Sequence, residues 1–324
     1  MKAIVQNDYG SPDVLALKEV ERPTIKENEV LIRAYAAALN AGDVFSVRGS
    51  PWLARFTVGF PKPKNYILGW DAAGRVEAVG EKVTRFKPGD EVFASCSSTL
   101  AEYACAAEEV LAIKPANLTF EQAAAVPTAA LTALQGLRDA GQVQPGQKVL
   151  INGASGGVGT FAVQIAKYFG AEVTGVCSTR NVALVQSIGA DDVSDYTQEG
   201  FTERGQRYDL ILDNVANHPF ADLRRALTSQ GVIVPNSGHG GMGYVLKAFL
   251  LSIFMRQQGS MFLATPNSED LVVLKELIES GDVRPIIDRT YPLSATPEAL
   301  RYVADGHARG KVVITVASGG GENE

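Results

Sequence analysis

Residues Asn152 to Gly170, NGASGGVGTFAVQIAKYFG, have the types and spacing needed to bind an anion through the backbone. The run Lys148-Val149-Leu150-Ile151 before them reads as a buried parallel strand. Val158, Ala162, Ile165, Ala166 and Phe169 then recur at helical spacing, and Gly170 suits a helix C-terminal cap. Strand, glycine loop and helix together hold a dinucleotide pyrophosphate on a helix N-terminus. Gly156 removes a side chain that would block the phosphate, and Gly159 lets the helix pack against the strand. Ala154 stands at the first glycine position. Glycine turns are common, so the signal is the placement and not the glycines alone.

The end of the next strand selects the dinucleotide. An acid there favours a free ribose 2′-hydroxyl, and a basic residue suits a 2′-phosphate. The turn reads Cys177-Ser178-Thr179-Arg180-Asn181, without an acid. Arg180 can pair bidentately with phosphate, while Ser178 and Thr179 offer hydroxyls. The expected cofactor is NADPH. A solvated Arg180 and a helix-capping Ser178 remain the alternative.

The elements that must position this loop change texture along the chain. Up to about residue 120, Ala3–Gln6, Glu29–Ala37, Gly74–Val79, Glu91–Ala94 and Val110–Lys114 look like strands separated by turns such as Lys87-Pro88-Gly89-Asp90. From Phe120 the pattern alternates. Strand candidates are Lys148–Ile151, Glu172–Cys177, Val193–Tyr196, Tyr208–Asp213, Gly231–Val234 and Met261–Leu263. Helical segments Asn181–Ile188, Phe220–Leu227 and Tyr244–Met255 fall among them. This predicts an α/β fold with a doubly wound parallel sheet beside a mostly β unit. In the tail, Glu269–Glu279 reads as helix, and the extended runs Pro285–Asp288 and Lys311–Val316 can rejoin the β unit. The expected division is a discontinuous domain of 1–122 and 267–324 with a dinucleotide domain of 123–266 inserted.

Bulk properties narrow the classes. The 324 residues suit two domains. Hydrophobic content of 46% and charged content of 20% are those of a soluble globular protein. A formal charge of −6 gives no reason to expect nucleic acid. Cys96, Cys105 and Cys177 lack metal-ligand spacing, which suggests a reducing compartment. The strand-like start shows no targeting leader, and the greasy Tyr244–Met255 is too short to span a bilayer, so the expectation is cytoplasmic, without membrane insertion.

The motifs AAxxP at Ala124 to Pro127, NGASGGVG at Asn152 to Gly159, GADDVSDY at Gly189 to Tyr196 and GHARGKVVI at Gly306 to Ile314 add a resemblance nearly end to end. The chain resembles the medium-chain dehydrogenase/reductase superfamily, in its quinone oxidoreductase branch. It is especially similar there to chloroplast envelope quinone oxidoreductase-like proteins and enone or alkenal reductases. The resemblance implies a GroES-like β domain plus a Rossmann domain, NADPH and a homodimer. Zinc-dependent members carry Cys, His and Cys where motif alignment places Asn40, Trp70 and Ala124. Trp70 and Ala124 cannot ligate zinc, Asn40 does so poorly, and the four-cysteine structural lobe is absent. A zinc alcohol dehydrogenase is excluded.

The same alignment places Asn40 and Thr128 near the nicotinamide and its ribose, and Ser155, Gly156, Gly157 and Val158 on the pyrophosphate. Ser178, Arg180 and Tyr196 would surround the 2′-phosphate. Val215, Ser237 and Gly238 follow strand ends, where a parallel sheet presents its crevice. Phe262 and Leu263 would approach the carboxamide. Several of these residues also fit plain structural roles: Asn40 fixing a loop, Thr128 capping a helix, Tyr196 packing on a strand, or Ser237 and Gly238 forming a turn.

The implied chemistry is hydride transfer to a quinone or to the β-carbon of an α,β-unsaturated carbonyl. Beside Asn40, the pocket candidates are Asp43, Trp52 and Tyr66, although Asp43 can equally make a local turn contact and the aromatics can be wall or core. Related enone reductases often carry a lysine two residues after the aspartate. Phe45 stands there, suggesting more apolar acceptors. The run Tyr244–Leu251 fits core or dimer packing better than a membrane surface. A nucleotide-binding scaffold or redox sensor, and an enoyl-thioester reductase, remain the competing functions.

Overall fold

The computed structural model describes residues 1–50, 55–63, 66–236 and 263–316. Trp52, Ser237, Gly238, Phe262, and the run Tyr244–Met255 lie outside the described residues. In chain order the strands are β1 Lys2–Gln6, β2 Leu15–Glu19, β3 Glu29–Leu39, β4 Asp71–Val79, β5 Glu91–Ser95, β6 Tyr103–Ala107 and β7 Leu111–Ile113. They continue as β8 Lys148–Asn152, β9 Glu172–Cys177, β10 Asp192–Asp195, β11 Tyr208–Asp213, β12 Leu227–Pro235, β13 Ile287–Pro292 and β14 Lys311–Thr315.

The chain forms two compact units, one of residues 1–128, 266–281 and 285–324, the other of 129–265 and 282–284. The sequence division lay at 122/123 and 266/267. Thr128 belongs to the first unit, where both its amide and its hydroxyl donate to Asp71.

In the first unit, β13, β14, β3, β4, β5 and β7 lie in that order, with β6 also pairing β3 and with β1 and β2 forming a separate antiparallel pair. The tail strand begins later than the expected Pro285–Asp288, at Ile287–Pro292, and joins this sheet parallel to β14, which runs antiparallel to β3. The centre of β3 is Ala-rich, and Ala34, Ala36, Ala37 and Ala38 are buried. Close approach continues at Gly74 of β4, where a Cβ would lie 2.0 Å from the Arg33 carbonyl oxygen. Ile4, Leu39, Val44, Val47, Leu100, Leu300 and Ile314 pack into one core cluster on this sheet. The helix Ala41–Arg48 follows β3 after a single residue, Asn40.

The second unit carries five parallel strands in the order β10-β9-β8-β11-β12. In a doubly wound sheet the strand order reverses beside the first strand, and a ligand crevice opens at the strands' C-terminal ends there. Here that point is the junction of β8 and β11, between Asn152 and Asp213. Leu150, Val176, Tyr208, Ile211 and Leu223 fill the core on one side. No described helix is long and apolar enough to cross a membrane.

Candidate active site

The glycine loop builds its shape from two close approaches. Gly153 takes φ +78°, a conformation that a side chain would strain. At Gly159 a Cβ would sit 2.0 Å from the Gly153 carbonyl oxygen, so the helix Gly157–Tyr168 rests directly on the loop backbone at the end of β8. Gly156 is different. It is the N-cap, and the nearest atom to a Cβ there is Gly153 O at 3.4 Å. Its missing side chain thus leaves space rather than relieving a contact. The first amides of the helix lack intrahelical acceptors, and the helix dipole adds positive potential. The loop therefore fits a pyrophosphate on backbone N–H groups.

Around it, Ser155 is buried and its hydroxyl accepts from the Asn181 side chain at 2.9 Å. Ser178 and Arg180 stand in the turn after β9, and Tyr196 is exposed at the end of β10. The parallel register sets Asp195 opposite Cys177, so an acid does reach this region from the neighbouring strand. Its carboxylate accepts from the Thr179 hydroxyl at 2.5 Å and the Thr197 hydroxyl at 2.7 Å, and the Thr179 bond leads in holding it below the usual carboxylate range. Asp195 is thereby committed to two threonines while Arg180 remains the cation of the turn. Val215 follows β11, its amide donating to Asp213 at 3.2 Å. Leu263 belongs to no strand and is 92% exposed.

The first unit concentrates polar groups at one end of its sheet. The register Val312↔Leu39 brings the next residues, Lys311 and Asn40, to the rim together, while Asp71 pairs with Ala38 on one side and Ser95 on the other. Four adjacent strands thus deliver Lys311, Asn40, Asp71 and Ser95 in a row, at the spacing that hydrogen bonding between strands imposes. Lys311 Nζ donates to Asn40 Oδ1 at 2.6 Å and lies 3.3 Å from Asp71 Oδ2. Asn40 Nδ2 donates to Asp71 Oδ2 at 2.9 Å. Thr128 donates to Asp71 Oδ1 through its hydroxyl at 2.5 Å and its amide at 2.9 Å. Its hydroxyl is also 3.1 Å from Ser95 Oγ. Asp71 and Lys311 are almost wholly buried, so neither charge is compensated by water.

Asn40 and Thr128 therefore share one network, although they were expected together only through a common ligand. Asp43 joins it from the first turn of Ala41–Arg48, where its Oδ2 accepts the Asn40 amide at 2.8 Å. It is completely buried, and its side chain joins the network through the Asn40 backbone amide. Burial pushes its carboxyl up to about 7, against the amide of Asn40, and the charge of Asp71 adds to the rise while Lys311 opposes it. Tyr66 is 43% exposed. Asp71 and Lys311 complete the network and are not among the candidates that motifs mark in the sequence. Their signal was a charge at the head of an otherwise apolar strand in each case, DAAGRV and KVVIT.

The zinc positions are filled by chemistry unlike zinc's. The Trp70 ring covers Gly42, whose Cβ would lie 2.6 Å from it, and Ala124 is buried within Phe120–Ala124. Among the described residues no group of three His, Cys, Asp or Glu side chains could hold a metal ion. Burial pushes Cys96 up to about 12, and Cys105 and Cys177 up to about 11, so no thiolate is available near neutral pH.

Residues 26–136 match the alcohol dehydrogenase GroES-like domain family, and 188–314 match the zinc-binding dehydrogenase family. The chain is 38% identical to 2-methylene-furan-3-one reductase of Solanum lycopersicum, over 97% of this chain and 79% of that protein. It is 35% identical to the chloroplastic NADPH-dependent alkenal/one oxidoreductase of Arabidopsis thaliana, over the same shares. The quinone oxidoreductase structure from Coxiella burnetii superposes with a TM-score of 0.87 at 32% identity, covering 98% of this chain and 99% of that one.

Proposed function

This chain belongs to the medium-chain dehydrogenase/reductase superfamily, and we propose that it is a zinc-independent, NADPH-dependent oxidoreductase. Its acceptors are quinones or α,β-unsaturated carbonyls. The observation that carries this reading is the polar row at the sheet rim, where an amide, a hydroxyl and a buried ammonium stand in place of a metal site. When bound, NADPH would supply a hydride to the β-carbon of the acceptor, and a solvent proton would complete the product.

The chain's own residues contribute binding and polarisation. Ser155, Gly156, Gly157 and Val158 hold the pyrophosphate, Ser178, Arg180 and Tyr196 the 2′-phosphate, and Val215 lines the crevice at the strand ends. Asn40 and Thr128 supply hydrogen-bonding groups to the nicotinamide end and to the acceptor. Tyr66, exposed on the same unit as Asn40, offers an apolar face to the acceptor. Without a lysine at position 45, that surface suits apolar acceptors. The assembly we propose is a cytoplasmic homodimer, on the strength of the resemblance and the cysteine usage. Light scattering tests the dimer and fractionation the compartment.

The deciding experiment follows NADPH absorbance against a quinone, an alkenal, a cyclic enone and an acyl-thioester. Oxidation by the first three supports the reading. Tight NADPH binding with no oxidation by any acceptor favours a scaffold or sensor, and turnover confined to the thioester favours an enoyl-thioester reductase.

A further inference from the structure

The Asn40 amide has only one orientation open to it. Lys311 can only donate and the Asp71 carboxylate only accept, so Oδ1 faces the ammonium and Nδ2 faces the carboxylate. One Nδ2 hydrogen is used on Asp71. The other has no partner among the described residues, and Asn40 is only half-buried. Asp71 divides its charge among the Thr128 hydroxyl, the Thr128 amide, Asn40 and Lys311. The ammonium sits closer to Asn40 Oδ1, at 2.6 Å, than to Asp71, at 3.3 Å. A cation on an amide oxygen strengthens the N–H donors on its far side, more so where water is excluded. Stability alone explains the pair poorly, because well-packed apolar residues commonly serve a fold as well as a buried ion pair.

We propose that Lys311 is a positioning residue, whose buried ammonium locks and polarises the Asn40 amide so that its free Nδ2–H meets the carbonyl oxygen of the acceptor. That oxygen gains negative charge as the β-carbon takes the hydride, the C=C electron pair moves into the enolate, and solvent later protonates the α-carbon. The arrangement puts a positive charge against the residue that aligns with a zinc ligand in metal-dependent members. The inference rests on the reductase reading above, and its test separates the two.

Lys311→Met, the charge-balanced Lys311→Met/Asp71→Asn and Lys311→Arg are compared with the parent in the full chain. The first readout needs no turnover. The Asn40 side-chain NH2 pair, identified in 1H–15N spectra by its loss in Asn40→Asp, is expected to be dispersed and slow to exchange in the parent. In the charge-balanced variant it collapses towards free-amide positions. The second readout is kcat across acceptors of graded electron demand, with the NADPH Kd measured alongside. The charge-balanced variant should keep the Kd within about twofold and lose roughly tenfold or more in kcat, short of the ~10²–10³ for deleting an oxyanion donor outright. The loss should be greatest for the least electron-poor enone, and Lys311→Arg should restore most of it. Unchanged amide signals, an unchanged kcat, or an equal loss on every acceptor overturns the proposal. A parent that fails to oxidise NADPH with every acceptor tried sinks the reductase reading instead, and the amide signals still decide whether Lys311 positions Asn40.

Discussion

Asn181 donates its side-chain amide to Ser155 Oγ over 2.9 Å, with both residues buried, and so ties the turn after β9 to the glycine loop after β8. The neighbouring Arg180 is exposed, and the two residues separate two aspects of cofactor binding. On the proposed assignment, Arg180→Ala removes a charged partner of the 2′-phosphate, a group that NADH lacks. Charge-assisted hydrogen bonds contribute about 1.5–3 kcal/mol, so NADPH affinity should fall roughly 10- to 100-fold with NADH little changed. Asn181→Ala loosens the loop under the pyrophosphate and should weaken both cofactors alike. Titration of the parent and both variants with each cofactor by fluorescence checks this. Equal losses of NADPH and NADH in Arg180→Ala would remove the 2′-phosphate assignment.

Gly156 and Gly159 should fail in opposite ways when changed to alanine. At Gly159 the new methyl would lie 2.0 Å from a backbone oxygen, so the helix must shift. Overpacking of that kind costs about 1–3 kcal/mol, and Gly159→Ala should lower the melting temperature of the free protein. At Gly156 φ is −85° and the nearest atom is 3.4 Å away, so Gly156→Ala should fold with parental stability. Its methyl instead enters the space we propose for the pyrophosphate. A clash worth only ~1.4 kcal/mol costs tenfold in affinity. A Gly156→Ala variant that binds NADPH like the parent contradicts the placement of the pyrophosphate.

These two glycines were legible in the sequence because their chemistry is local: strand, loop and helix follow one another without interruption from Lys148 to Gly170. The rim network was not, because it is made by pairing across the chain. Lys311 meets Asn40 across 271 positions, and nothing near Lys311 reports that β14 lies against β3. A lysine heading an apolar strand reads as a solvated end. Only the register turns it into a buried cation. The same holds for Asp195, which lies outside the Ser178 to Asn181 turn in sequence yet reaches Thr179 through the β9–β10 pairing. Alternating strands and helices are legible because their periodicity is local, while the short helix Ala41–Arg48 leaves no such signal because glycine and polar residues interrupt its apolar spacing.

Metal removal gives a direct test of the zinc-free chemistry. With Asn40, Trp70 and Ala124 at the aligned ligand positions, dialysis against a chelator should leave NADPH oxidation within experimental error of the untreated protein. A loss that added zinc restores would overturn that reading.

The carboxyl of Asp43 gives a pH dependence of definite sign. Burial raises it to about 7 in the folded chain, while an unfolded aspartate titrates near 4. Below about pH 4 the group is protonated in both states and contributes no pH dependence. Between about 4 and 7 the folded chain holds a proton that the unfolded chain has released, so this group's contribution falls as pH rises. Above 7 the folded chain carries a buried carboxylate and the full penalty. Asp43→Asn removes the titration and keeps an oxygen to accept the Asn40 amide, now 2.8 Å from Asp43 Oδ2. The variant should therefore gain on the parent by a few kcal/mol between pH 4.5 and pH 8, the order expected for a shift of this size. Urea unfolding of both proteins at the two pH values measures the difference. A variant–parent gap that stays constant, or moves the other way, would show that the carboxyl titrates normally and is not held in the network as described.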